Sequence, residues 1–253
     1  MSPIAPLAKF LANFLIPILK DNPTTTSITS IPKFIENIHN LPPSPNSTMI
    51  SFDVVNMYPS LPHHLIIDNT IEFLALNNIP PDISSKIISL VKLSLQYNIF
   101  SFNSNFYRQA KGSSMGSPLS SPLAEIRCID DIFCVSNSNK IDSIFTQLKS
   151  IHNDIDFTIE TENNNTLPFL DVLILKTQNQ YTTEIYHKPN STPDYIHFSS
   201  YSPLSHKINT VKTLSKRIYT HCSTQLSKDT ETQFLINKLT SNGYLKNYIK
   251  TLL

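Results

Sequence analysis

Two apolar runs in this chain carry carboxylates where a strand would ordinarily continue with Ile or Val. In M-I-S-F-D-V-V, Met49 to Val55, Ile50, Phe52 and Val54 alternate with Ser51, Asp53 and Val55. That period of two predicts a strand with Asp53 on the face opposite Phe52. In R-C-I-D-D-I-F the pair Asp130-Asp131 interrupts a second run, predicting two short β segments over Arg127 to Val135 hinged at the acids. Burying an unpaired carboxylate is costly, so these acids must face water or meet cations. Singly, each has a plain explanation, because Asp suits a solvated turn and a lone Asp suits a water-facing strand edge. Two such strands side by side would repel unless neutralised. A pair of Mg²⁺ ions about 3.5–4 Å apart is the usual arrangement for phosphoryl transfer.

The stretch between the acids is just as informative. Gly112 and Gly116, in K-G-S-S-M-G-S-P, are two of only three glycines in 253 residues. They predict a loop whose backbone approaches something closely, ahead of a helix opening at Pro118. Helical spacing runs over Pro62 to Leu76 and Ile83 to Tyr97, and I-F-S-F-N-S-N-F-Y-R reads as a hairpin turning at Asn103 to Asn105. Ile141 to His152 reads as a helix, and F-T-I-E-T-E and L-P-F-L-D-V-L-I-L-K as two further strands. Beyond Tyr181 the pattern turns mostly helical, over Leu204 to Tyr219 and Thr230 to Leu239. A short helical segment is predicted around Phe34 to Ile38.

At 40% hydrophobic and 15% charged residues, the chain can bury one sizeable core or two modest ones, which excludes disorder over its whole length. Its net charge of +1 hides an asymmetry. The first 180 residues carry 11 basic and 15 acidic residues, −4, and the last 73 carry 9 and 4, +5. Cys128, Cys134 and Cys222 are odd in number and lack metal-ligand spacing, which favours a reducing, intracellular compartment. Leu7, Phe10, Leu11, Phe14, Leu15 and Ile18 follow one helical face. The segment Ile4 to Leu19 is too short to span a bilayer and lacks the basic start of a signal peptide, so no membrane is expected. The eight histidines form no H-E-x-x-H, and His63-His64 reads as a helix start near the surface.

F-D-V-V-N-M-Y-P-S-L-P resembles motif A of the reverse-transcriptase palm. The stretch F-Y-R-Q-A-K-G-S-S-M-G-S-P-L-S-S-P-L-A-E-I resembles motif B, and C-I-D-D-I-F motif C. With F-T-I-E, L-P-F-L-D-V, Y-H-K-P-N-S-T-P-D-Y and Y-S-P-L-S-H-K in the same order, the chain is most similar to reverse transcriptases of Penelope-like retroelements. The resemblance implies an α+β fold with an antiparallel palm sheet and packed helices. Partial fingers and palm would occupy 1–180, and a basic, mainly helical thumb or helix-turn-helix-like segment 181–253. It implies RNA-directed DNA synthesis with two Mg²⁺ ions, an RNA template, a DNA primer and deoxynucleoside triphosphates, in the nucleus.

Residue by residue, Asp53 and Asp130 would be the principal metal ligands, Asp131 a weaker partner, and the Val54 carbonyl would complete the set. Tyr58 would crowd the sugar C2′. Gln109, Gly112, Gly116, Ser117 and Pro118 would sit beside template and nucleotide, and Leu167 to Val172 would form the hairpin that grips the primer end, through Leu167, Pro168, Phe169 and Leu170. In the basic tail, Ile208, Val211, Leu214 and Ile218 make an apolar face, leaving Lys207, Lys212, Lys216 and Arg217 on the polar side for phosphates; a solvated helix face explains the same pattern.

Three departures from the family accompany the resemblance. Ile126 is followed at once by Arg127 and Cys128, where the family has a long helix and a returning segment. By the resemblance, the basic strands that hold the triphosphate in the family would lie upstream of S-P-I-A-P-L-A-K-F-L, and Cys128 stands where the family has Tyr. A catalytically inactive retroelement fragment that at most binds nucleic acid is the alternative expectation.

Overall fold

The computed structural model describes residues 4–21, 28, 30–126, 131–189 and 195–252. In chain order these form α1 (Ala5–Asp21), α2 (Ile31–His39), β1 (Ser47–Val54), α3 (Met57–Ser60), α4 (His63–Leu76) and α5 (Pro81–Gln96). Then come β2 (Ile99–Phe102), β3 (Asn105–Arg108), α6 (Ser120–Glu125), β4 (Asp131–Asn137), α7 (Ile141–Lys149), β5 (Phe157–Thr161), β6 (Thr166–Phe169), β7 (Val172–Lys176) and β8 (Tyr181–Ile185). The chain continues with α8 (Leu204–His221), α9 (Gln225–Ser241) and α10 (Lys246–Leu252). No helix among the described residues is long and apolar enough to cross a membrane.

Two compact units emerge: Met1–Ser27, Ser51–Ile132 and Asn139–Glu160 in the first, and Ile28–Ile50, Phe133–Ser138 and Thr161–Leu253 in the second. The charge boundary at Gln180 does not coincide with their divide.

In the first unit α1 packs on α5 and α6, and α4 packs on α5 and α6. The face α1 buries is Ala8, Leu11, Ala12 and Leu15, while Phe10 is 54% exposed. This shifts the expected face, which used Phe10 and Phe14. Alanines at Ala8 and Ala12 allow close helix approach, which bulky aromatics there would prevent. Helix α5 starts at Pro81, whose missing N–H costs nothing in a first turn. It buries Ile87, Ile88, Val91 and Leu95.

In the second unit, Ser30 caps α2 by accepting from the Lys33 N–H, and α2 buries Phe34, Ile35 and Ile38. These join Met49, Leu167, Phe169, Val172, Ile174 and Tyr181 in one core, with Phe133 and Val135 against it. The Phe34 ring meets Phe133 edge-on at 5.3 Å and Phe169 at 5.1 Å. Burying one such ring contributes about 1.5–3 kcal/mol. A second core forms around Val211, Ile218, Leu235, Leu239 and Ile249 of the C-terminal helices, with Tyr244 from the loop between α9 and α10.

The sheets are β4-β1-β5, β2-β3 and β6-β7-β8. Strand β1 meets β5 antiparallel, since Met49 O accepts from Glu162 N–H while Val55 N–H donates to Asp156 O at the other end. Hydroxyls of Thr48 and Ser138 lie 2.7 Å apart, whereas Asp53 interacts with Asp131, so β4 also runs against β1.

Three sequence readings need correction. L-P-F-L-D-V-L-I-L-K is a hairpin of β6 and β7 rather than the one strand its apolar run predicts, as the resemblance implied over Leu167 to Val172, because Leu170 turns the chain at φ 54°. Strand β8 lies where a mostly helical pattern was expected; it alternates Tyr181, Thr183 and Ile185 inward, and the polar Thr183 breaks the apolar signal. Helix α6 begins at Ser120 rather than Pro118, with the Ser120 hydroxyl donating to Ser114 O at 2.7 Å. The hinge at Asp130, with Arg127, Cys128 and Ile129, lies outside the described residues.

Candidate active site

Strand β1 alternates as its sequence requires. Ile50, Phe52 and Val54 are buried, and Asp53 stands exposed between the last two. The Thr158 hydroxyl of β5 donates to the Asp53 carbonyl at 3.4 Å, which ties the backbone at the acid. Past Val54 the chain turns sharply through Asn56 at φ 50°, a left-handed conformation that Asn tolerates, and enters α3. The Ser60 hydroxyl closes this turn by donating to Val55 O at 3.3 Å.

Asp131 opens β4 and is also solvent-facing. Partial burial, and then the charge of Asp53, push its carboxyl above the usual range. Asp130 is outside the described residues, and among those described no group of three or more His, Cys, Asp or Glu gathers to hold a metal. The donor set is nevertheless of one chemical kind. Two carboxylates and the Val54 carbonyl are hard oxygens, which suit Mg²⁺ and not a thiolate- or imidazole-seeking metal. The repulsion felt at Asp131 is the condition a divalent cation would relieve.

The glycine loop is held against the turn after β1. Gly112 adopts φ 78°, and a Cβ there would lie 2.5 Å from Pro59 O and closer still to Tyr58 O. Ser113 N–H donates to Tyr58 O at 2.8 Å, and the His63 ring donates through Nε2 to Gly112 O at 2.9 Å. Tyr58, half-buried in α3, is therefore bound to the loop through its carbonyl. Gln109 is internally engaged: its amide oxygen accepts from Asn98 Nδ2 at 2.8 Å, and its nitrogen donates to Lys111 O at 2.9 Å. Lys111 pairs with Asp154 at 2.6 Å, and that bond leads the effects holding the Asp154 carboxyl below its usual range. Gly116, at φ 86°, has open space around it; Ser117 N–H donates to Ser114 O at 3.1 Å, and Pro118 leads into α6.

The structure thus brings together Asp53, Val54, Tyr58, Gln109, Gly112 and Asp131 within the first unit. Sequence reasoning missed the anchoring role of His63, Asn98 and Lys111. Only the helix-start signal around Pro62 pointed to His63, and nothing local links it to a loop about fifty residues away.

In the second unit Leu167 and Phe169 are buried, whereas Leu170 is 42% exposed at the turn. Only Pro168 and Leu170 of the four expected primer contacts present surface. Glu162 accepts from Lys176, which also donates to Ser47 O at 2.6 Å, and from Met49 N–H at 3.0 Å, fastening β7 beside β1. The expectation for Lys207 fails. Its Nζ is buried and donates to Phe198 O at 2.6 Å and Ser200 O at 2.7 Å, so it ties a loop to α8 and is withheld from phosphate. Lys212 and Lys216 are exposed as expected. Arg217 is partly covered and lies 3.4 Å from Asp171.

Residues 194–253 match the animal helix-turn-helix domain family. Their α8 and α9 are joined through Cys222 to Thr224, with Thr224 capping α9. The search of curated proteins gives no match. Among solved structures, telomerase from Candida albicans in complex with a TWJ fragment of telomeric RNA superposes with a TM-score of 0.62 at 12% identity, over 95% of this chain and 47% of that one. Apo telomerase from Candida tropicalis gives 0.55 at 11% identity, over 97% and 50%. Telomerase from the same organism with the TWJ fragment gives 0.50 at 12%, over 94% and 46%. The chain thus spans about half the length of the telomerase chains it matches. It shares the fold of these telomerase chains over nearly its whole length, with a helix-turn-helix match at its C-terminal end.

Proposed function

We propose that this chain is the reverse-transcriptase domain of a Penelope-like retroelement, extending a DNA primer on an RNA template in the nucleus. The observation that carries this reading is the juxtaposition of Asp53 and Asp131 on neighbouring antiparallel strands, both facing solvent, with the charge of one felt by the other. Asp53, Asp130 and the Val54 carbonyl would hold two Mg²⁺ ions, with Asp131 as a weaker partner. When bound, the ions supply activation of the primer 3′-hydroxyl and charge stabilisation of the pyrophosphate leaving group.

The chain's own contribution is positioning. Tyr58, fixed by the Ser113 bond, borders the nucleotide sugar and selects against a 2′-hydroxyl. Gln109 and the loop from Gly112 to Pro118 form the floor under the base pair. Pro168 and Leu170 meet the primer end, and Lys212 and Lys216 contact duplex phosphates. The RNA-bound telomerase relatives fit a nucleic-acid partner.

A second reading has its own support. Helix α6 ends at Glu125 and β4 begins at Asp131, a connection much shorter than the family's, which favours a non-catalytic fragment that only binds nucleic acid. Primer extension on an RNA template with Mg²⁺ decides between them. Extension by the wild type, abolished by Asp53→Ala and by Asp130→Ala, is expected. Silence from a folded protein whose duplex binding is indifferent to Asp53→Ala would establish the second reading instead.

A further inference from the structure

The hairpin of β2 and β3 leaves every one of its residues exposed. Its register pairs Phe100 with Tyr107 and Phe102 with Asn105, which places Phe100, Phe102 and Tyr107 on one face and Ile99, Ser101, Phe106 and Arg108 on the other. Exposures of 54% for Phe100, 63% for Phe102 and 45% for Tyr107 are large for aromatic rings. Phe100 and Tyr107 stack on each other at 5.5 Å with an interplanar angle of 21°, so their faces are held parallel without a core behind them.

The sequence around this ladder is short of acids. Residues 83–124 contain Lys86, Lys92, Arg108 and Lys111 and no acid, although the first 180 residues hold 15 acidic residues. Lys86 and Lys111 pair with Asp82 and Asp154, and Arg108 lies on the hairpin itself. The base of the hairpin is joined to the glycine loop, because Gln109 N–H donates to Asn98 O at 3.0 Å and the Asn98 amide returns a bond to the Gln109 side chain. Exposed rings in an acid-free basic stretch are the combination that receives successive unpaired bases.

We propose that the Phe100–Tyr107 face is a stacking platform for an unpaired RNA strand. The hairpin base is bonded to the glycine loop proposed to border the template, which favours a nucleic-acid strand over a protein partner. The choice of RNA rests on the templated reading above; the stacking itself does not need catalysis.

The chain contains no tryptophan. Phe100→Trp in the full chain is therefore a single-site fluorescence reporter. Titration with an unstructured 20-nucleotide oligouridylate at low salt should quench its emission saturably, while a duplex of equal length should not. Phe100→Leu combined with Tyr107→Leu keeps apolar surface but removes stacking, and should weaken oligouridylate binding about tenfold per ring, with the unfolding midpoint unchanged. Asp53→Ala should leave the quench intact, so loss of polymerase activity and loss of the platform are separately visible. Absence of quenching while the oligonucleotide binds elsewhere, equal quenching by duplex, or emission that changes with protein concentration as a dimer forms would each overturn the proposal.

Discussion

Ser113 N–H donates to the Tyr58 carbonyl at 2.8 Å, and Gly112, the residue before it, lies so close to Pro59 that no side chain fits between them. The glycine loop and the turn after the Asp53 strand are therefore one rigid piece.

Substituting either glycine separates crowding from strain. Gly112→Ala meets backbone atoms at 2.5–2.6 Å in addition to an unfavourable φ. It should destabilise the fold by more than about 2 kcal/mol in urea unfolding and remove primer extension. Gly116→Ala has only the φ of 86° to accommodate and should cost about 1 kcal/mol.

Lys207 and Lys212, five residues apart on α8, should behave oppositely. Lys207→Met leaves the carbonyls of Phe198 and Ser200 without their donor and should cost about 1–3 kcal/mol in stability. Lys212→Gln and Lys216→Gln should change stability by less than about 0.5 kcal/mol. Each should reduce the slope of log affinity against log salt for template-primer duplex by about one.

Asp131 gives a pH signature. Its folded-state pKa is raised, so relative to the unfolded chain its contribution is favourable below the unfolded value of 3.8 and is lost as pH rises through the raised folded value. Asp131→Asn should therefore raise the thermal midpoint at pH 7 in metal-free buffer and give no gain below pH 3.8. Added Mg²⁺ should raise the wild-type midpoint more than that of Asp131→Asn.

His221 titrates with the opposite sign. Burial, and then the Arg217 charge, lower its pKa below the ordinary 6.5, and its Nε2 is buried without a protein partner. Its contribution is fully present above pH 6.5 and lost as pH falls through the depressed folded value. Unfolding midpoints measured from pH 7.5 down to 5 should fall for the wild type and flatten for His221→Gln.

The acids were legible because a period of two survives in β1: an exposed Asp between buried Phe52 and Val54 needs no knowledge of neighbours. That Asp131 would come to lie beside Asp53 is a long-range pairing, which the spacing of the acids raised as a possibility and the resemblance made specific. Strand β8 escaped notice because buried Thr183 stands where an apolar residue would have announced the alternation. Lys207 sits on the polar arc of α8 by residue type, but its stem runs along Phe198, with the ammonium 5.4 Å from the ring centroid, and two carbonyls satisfy its charge. Helical periodicity cannot anticipate acceptors supplied by a loop.

The division into two units carries a consequence for any attempt to shorten the protein. The chain passes between the units at five points, and three of these fall inside β1, β4 and β5. No single cut excises either unit, and each strand, once severed, would expose unpaired backbone in both halves. Limited proteolysis should accordingly release no independently folded fragment bounded at those strands: any truncation that spares one unit's fold must keep segments that belong to the other in sequence.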